Sequence, residues 1–281
     1  MNWEVIILQN LQSVRTPFLN SLMQSITIMA ESIFILLIIA IIYWCLDKKI
    51  GTKIAWIVIF NGVVNGVIKN IMRMPRPFER GVVLPLRVET ATSYSFPSGH
   101  TQTATSFWTS AVLIFKSKSM LIMAVIMSLL TAFSRVYLGV HWPIDVFAGL
   151  ILGAVWAIIA DKIFDPYKGF TKIHLILASV IFGLTIFLPT GQDLANTTSC
   201  LLGLVAGCII EKKYVQFEEK SPPKQQFIKI FLGVISTGIL YAGLQNILPE
   251  LKICEMIINL IVIIWIVAGV PYLFKKFLAT K

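Results

Sequence analysis

Apolar stretches close to the length of a bilayer core, about 20 residues, recur along nearly the whole chain and are separated by short polar segments. Nine can be drawn: 25–46, 54–72, 100–115, 119–138, 143–163, 172–189, 197–210, 227–247 and 254–274. They read as membrane-spanning helices, whose backbone groups are satisfied within each segment. The third and seventh are short, and the seventh reads either as a span or as a re-entrant segment. Trp3, Val5, Ile6, Ile7 and Leu8 lie among polar residues. That start reads as an interfacial helix, not a cleavable leader, because it lacks a basic beginning followed by an apolar core. The expectation is an all-α, polytopic transmembrane helix bundle. An interfacial helix over 1–24 precedes a transmembrane core over 25–190 and a transmembrane extension over 191–281.

Composition sharpens this picture. Hydrophobic residues make up 57% of the chain and charged ones 14%, against about 25% charged in soluble domains. Mean hydropathy is +0.81. The net charge of +10 would point to nucleic acid in a soluble protein. Here the positive-inside rule accounts for it, and no nucleic-acid partner is expected. The loops after odd-numbered segments carry most of the lysines, from Lys48, Lys49 and Lys53 to Lys275, Lys276 and Lys281. That side is expected to be cytoplasmic, which makes the protein a multi-pass cell-membrane protein. Cys45, Cys200, Cys208 and Cys254 have no CxxC spacing and read as small apolar residues. A Cys200–Cys254 bridge on the outer side is the alternative.

Three polar islands interrupt the apolar pattern: Lys69 with Arg76-Pro77, Pro97-Ser98-Gly99-His100, and Ser134-Arg135 followed by His141 and Asp145. The alternation of segments carries all of them to one face, opposite the lysine-rich side. Arg73, Arg76, Arg80, Arg87 and Arg135 break the positive-inside rule there, as residues held to bind an anion would. Pro143 fits the first turn of a helix, and Asp145 lies four residues after His141, within reach of its imidazole. Gly149 and Gly153 permit close approach of a neighbouring helix. Asn61, Asn65 and Lys69 form a stripe at the same spacing. The helix beginning at Pro97-Ser98-Gly99 offers exposed amides to an anion.

Lys69-x6-Arg76-Pro77, Pro97-Ser98-Gly99-His100 and Ser134-Arg135-x5-His141-x3-Asp145 resemble the three signatures of the type 2 phosphatidic acid phosphatase superfamily, which also includes the vanadium haloperoxidases. The signatures span residues 69 to 145. The resemblance implies a six-helix phosphatase core with about three extra C-terminal spans. It implies that His141 attacks phosphorus to give a phosphohistidine, that Asp145 orients and stabilises its imidazole, and that His100 protonates the leaving oxygen and then activates water. Lys69, Arg76, Ser98, Gly99 and Arg135 would bind the phosphate oxygens. No cofactor and no metal are expected, so the reaction is read as metal-independent.

The function this implies is hydrolysis of a lipid phosphomonoester or a polyprenyl diphosphate at the outer leaflet, with phosphatidic acid and undecaprenyl diphosphate as the substrate types. The partners are then the lipid phosphate and membrane lipids. Lipid-to-lipid phosphotransfer and a catalytically silent lipid-binding protein are the alternatives. Arg73, Arg80 and Arg87 read either as headgroup contacts or as solvated charges. Glu31 reads as an interfacial or pairing residue, and His174 as structural. Tyr94, Phe96, Tyr137, Trp142, Trp44 and Trp56 read as interfacial anchors. Residues 211–229 read as a solvated linker.

Overall fold

The structure, a computed structural model, describes residues 2–278. Met1 and residues 279–281, including Lys281, lie outside the described residues. The chain is helical: α1 (Asn2–Ser13), α2 (Pro17–Ile28), α3 (Ser32–Ile41), α4 (Lys48–Met72), α5 (Gly99–Phe115), α6 (Lys118–Tyr137), α7 (Pro143–Ile163), α8 (Lys172–Phe187), α9 (Gln192–Ile210), α10 (Pro223–Ile247), α11 (Lys252–Ile264) and α12 (Val270–Leu278). Single π-helical turns continue α3 to Leu46, continue α9 to Val215 and join α11 to α12.

Six helices among the described residues are long and apolar enough to cross a membrane, or seven if the bent pair α2–α3 counts as one span. With 17 and 16 residues, α5 and α8 are shorter. The seventh segment, expected to be short, is instead one of the long spans, Gln192–Val215. The polar residues Gln192, Asp193 and Asn196 precede the segment drawn from 197. Gln192 instead bonds Asn196 and Glu255, at 2.9 and 2.7 Å, and the helix begins there.

The N-terminal region also differs from the expected single interfacial helix over 1–24. Thr16 accepts a hydrogen bond from Leu19 N and Pro17 opens α2, so one helix ends at Ser13 and a second begins at Pro17. Pairing of Glu31 with Arg87 follows the break at the end of α2.

The chain folds into two compact units. The first comprises the residues up to Leu36 together with Asn61–Ile163. Its centre is α5, packed against α6 and α7. The Gly149/Gly153 stripe of α7 faces α5. A Cβ at Gly149 would lie 3.0 Å from Ser98 O, and one at Gly153 would lie 2.5 Å from Gln102 O. Side-chain amides fix the register of the last turns of α4 against α5. Gln102 donates to Asn61 Oδ1 at 2.9 Å, and Asn65 donates to Gln102 Oε1 at 2.8 Å and to Pro97 O at 3.3 Å. Asn61 and Asn65 thus dock α5. Tyr137 and Trp142, expected as interfacial anchors, are buried in this unit. Tyr137 Oη donates to Asn20 and Trp142 Nε1 donates to Pro75 O.

The second unit comprises Leu37–Phe60 and the residues from Phe164 onward. Here α9 packs tightly on α11, with Gly203 against Leu260 and Ile263. Trp44 and Trp56 are buried instead of anchoring at an interface. Trp44 donates to Ile266 O, and Trp56 stacks among Phe60, Phe164 and Phe170. His174 is structural, as expected. It accepts from Thr171 N at the start of α8 and packs edge-on against Trp56. The segment 211–229 is not a solvated linker. Glu211 is buried and pairs with Lys48, Phe217 is buried, and Lys229 donates to the carbonyls of Glu218 and Glu219. All four cysteines are free thiols, so Cys200 and Cys254 form no bridge.

Candidate active site

The first unit brings the three polar islands together. Lys69 stands in the last turn of α4 and is 4% exposed. The connection from Arg73 to Ser98 then folds back over that end. Lys69 Nζ donates to Ser93 Oγ at 2.7 Å and to Tyr94 O at 2.8 Å. Arg76 is 1% exposed and grips the same loop, donating from Nε to Ser93 O and from Nη1 to Val140 O. The two cations thereby fix the path of 93–95.

Ser98 is the N-cap residue of α5. Its amide donates to Asp145 O at 3.0 Å, and its hydroxyl lies 3.0 Å from Thr101 Oγ1. Gly99 and His100 begin the helix. His100 Nε2 is buried and has no hydrogen-bond partner among the described residues.

Arg135 closes α6 and is fully buried. Its Nη1 donates to Thr27 Oγ1 at 2.9 Å and to Thr90 Oγ1 at 3.5 Å, while Nε and Nη2 have no partner among the described residues. A buried guanidinium with two unmatched donors is costly unless a ligand completes it. An anion supplies the matching acceptors.

His141 sits in the turn before α7 and is 1% exposed. Its two ring nitrogens face different chemistry. Nε2 lies 3.2 Å from Arg76 Nη1, and Nδ1 lies 3.3 Å from Asp145 Oδ2. A guanidinium can only donate, so the contact assigns a lone pair to Nε2 and the proton to Nδ1. Burial pushes the His141 pKa well below the ordinary imidazole value, with Arg76, Arg135, Lys69 and His100 adding to the effect in that order. The imidazole is therefore neutral at pH 7, with its lone pair aimed into a cluster of cations.

Asp145 is fully buried in the first turn of α7. Its Oδ2 accepts from Trp142 N at 2.8 Å and from Ser95 Oγ, and it faces His141 Nδ1. Ser95 itself lies 3.5 Å from His141 Nδ1. Ser93, Ser95, Thr27 and Thr90 were not singled out from the sequence. For Ser93 and Ser95 the available signal was the hydroxyl-rich run Thr92-Ser93-Tyr94-Ser95 shortly before Pro97.

The remaining candidates separate cleanly. Arg87 pairs with Glu31 at 2.5 Å, so Glu31 is a pairing residue. Arg80 lies over the Trp142 ring, 5.9 Å from its centroid. Arg73 is exposed and donates to Asn70 O. Tyr94 is exposed, and Phe96 is half-buried.

Comparison with known proteins identifies a family for the chain. The PAP2 superfamily profile matches residues 50–168, and a second, described as the transmembrane extension of PAP2 superfamily phosphatases, matches residues 195–281. Phosphatidylglycerophosphatase B of Bacillus subtilis is 31% identical over 172 residues, covering 57% of this chain and 82% of that protein. The undecaprenyl-diphosphatase BcrC of the same organism is 27% identical over 197 residues, covering 69% of this chain and all of the relative. An undecaprenyl-diphosphatase of Sulfolobus acidocaldarius is 39% identical over 109 residues, and the match spans about half, 52%, of that protein. The crystal structure of a transmembrane PAP2-type phosphatidylglycerolphosphate phosphatase from Bacillus subtilis superposes with a TM-score of 0.51 at 27% identity, covering 58% of this chain and 84% of that one. The chain is therefore a membrane protein that belongs to the PAP2 superfamily of phosphatases and carries that family's transmembrane extension.

Proposed function

We propose that the protein hydrolyses a lipid phosphomonoester or a polyprenyl diphosphate through a phosphohistidine, with His141, His100 and Asp145 catalytic and Lys69, Arg76, Ser98, Gly99 and Arg135 binding the phosphate. The observation that carries this reading is the polarised setting of His141, with its proton toward Asp145 and its lone pair toward Arg76.

In the first step His141 Nε2 forms a bond to phosphorus as the bond from phosphorus to the lipid or pyrophosphate oxygen breaks. His100 gives its proton to the departing oxygen. Asp145 stabilises the positive charge that the phosphorylated imidazole acquires. In the second step His100 takes a proton from water, whose oxygen bonds to phosphorus as the P–N bond breaks and orthophosphate leaves. Throughout, Arg135 Nε and Nη2, with Arg76 and Lys69, offset the charge on the equatorial oxygens. Ser98 and the Gly99 amide add neutral donors at the α5 N-terminus.

The lysine distribution supports a site on the extracytoplasmic side of the cell membrane, where a substrate such as undecaprenyl diphosphate or phosphatidic acid presents its headgroup. The names of the relatives support lipid phosphates of both the monoester and the diphosphate kind. We read residues 25–190 as the catalytic portion and 191–281 as a membrane extension, and we read the reaction as metal-independent.

The test is release of orthophosphate by the purified protein in detergent from a panel of lipid phosphates and polyprenyl diphosphates. Wild type should release phosphate in the presence of EDTA, and folded His141→Ala should not. Unchanged release by His141→Ala overturns the assignment, and loss with EDTA restored by a divalent cation overturns the metal-free reading.

A further inference from the structure

The helix that carries Asp145 begins without a capping side chain of its own. Trp142 occupies the N-cap position of α7, its carbonyl accepting from Asp145 N and Val146 N. An indole has no acceptor to offer the helix. Asp145 supplies one half of a capping box by accepting from Trp142 N at 2.8 Å. The other half, a side-chain acceptor for the first free amides, comes from far away in sequence. Pro143 has no N–H, and the next amide, Ile144 N, donates to Glu4 Oε1 at 3.2 Å.

Glu4 belongs to α1, and its side chain is not solvated, being only 7% exposed. One turn further along α1, Leu8 is buried in a cluster with Trp142 and Val146, with Val5 and Leu150 packed around it. α1 therefore holds the beginning of α7 through a polar contact and an apolar contact on the same side. Ile144 lies between the two residues whose separation defines the reactive tautomer, His141 and Asp145.

We propose that Glu4 is a positioning residue for phosphoryl transfer. By accepting from Ile144 N it holds the first turn of α7 in the pose that keeps the Asp145 carboxylate on His141 Nδ1. The proposal rests on the reading of His141 as the nucleophile, and it adds a second role to α1, whose pattern otherwise suggests an interfacial helix. Glu4 bonds the α7 backbone and is not among the groups assigned to the phosphate, so its role is on the histidine's pose and not on substrate binding.

Three variants separate acceptor from charge. Glu4→Gln keeps an oxygen at the same reach and loses the charge. Glu4→Asp keeps the charge but falls short of Ile144 N by one methylene. Glu4→Ala loses both. Loss of a cap should lower kcat roughly fivefold to tenfold in Glu4→Asp and Glu4→Ala, with KM and competitive inhibition by orthophosphate, which read the phosphate cup, unchanged. Glu4→Gln should restore most of kcat. Should Glu4→Ala fail to fold, the Asp and Gln variants carry the comparison. Wild-type kcat in Glu4→Asp, a kcat in Glu4→Gln as low as in Glu4→Asp, or a parallel loss of kcat and orthophosphate affinity each overturns the proposal. His141→Ala is assayed alongside. Continued phosphate release by that variant sinks the catalytic reading itself, whatever the Glu4 variants do.

Discussion

Replacing Asp145 by asparagine isolates one electrostatic contribution to the proposed phosphoryl transfer. Asp145 Oδ2 receives Trp142 N and Ser95 Oγ and faces His141 Nδ1 at 3.3 Å. An asparagine carbonyl placed there can still accept from Trp142 N and Ser95, so the turn is kept while the negative charge is removed. The charge matters when His141 bonds to phosphorus and becomes cationic. Two unit charges at that separation interact by about 5 kcal/mol at an effective dielectric near 20. The amide dipole retains part of this, which leaves a loss of about 3 kcal/mol, or roughly a hundredfold in kcat at about 1.4 kcal/mol per decade. KM should hold, because Asp145 lies behind the imidazole and not on the phosphate. Phosphate release is measured for both proteins in the same detergent, with circular dichroism and thermal melting to establish equal folding. A folded Asp145→Asn protein whose kcat stays within about threefold of wild type refutes the role given to this carboxylate.

Ser95→Ala removes one of the three donors on Asp145 and should lower kcat by about tenfold, the worth of one hydrogen bond to a charged group, with little change in KM; steady-state kinetics decide it. Gly153→Ala places a methyl 2.5 Å from Gln102 O, forcing α5 from α7. We expect a destabilisation of about 1–3 kcal/mol, seen as a lower melting temperature, and a fall in kcat because α5 carries His100. An unchanged melting temperature contradicts the close packing. The pH dependence follows from the lowered pKa of His141. A base that holds its proton less tightly stays neutral to lower pH, so activity is retained as pH falls through the ordinary imidazole value of about 6.5 and is lost only below it. A profile of kcat/KM, set against the separately titrated substrate, locates the acidic limb that His141 governs, and an acidic enzyme limb at or above that value contradicts this prediction.

The charged members of the site were legible because charges are rare in apolar sequence and their spacing is rigid. Lys69, Arg76, Arg135, His141 and Asp145 all come together as their order along the chain implied. The hydroxyls were not legible. Thr27 lies within an apolar helix, and its bond to Arg135 depends on how α2 packs against α6. Ser95 reaches Asp145 because Lys69 and Arg76 fold its loop inward, a consequence of backbone carbonyls that no residue type announces. Aromatic residues misled for a related reason. An anchor at a membrane surface and a buried ring with one polar atom share the same sequence pattern, and Trp142 and Trp44 are the second kind. Lys229 looked like solvated charge, yet its amine reaches two nearby carbonyls and its stem is buried.

The chain of amides from Asn61 through Gln102 and Asn65 to Pro97 O has an evolutionary consequence. An apolar replacement at any one position strands its neighbour's N–H or C=O in surroundings with no water to accept it. Intermediate sequences along such a path are therefore penalised. The three side chains should be inherited as a block, changing together or not at all, even though none of them touches phosphorus.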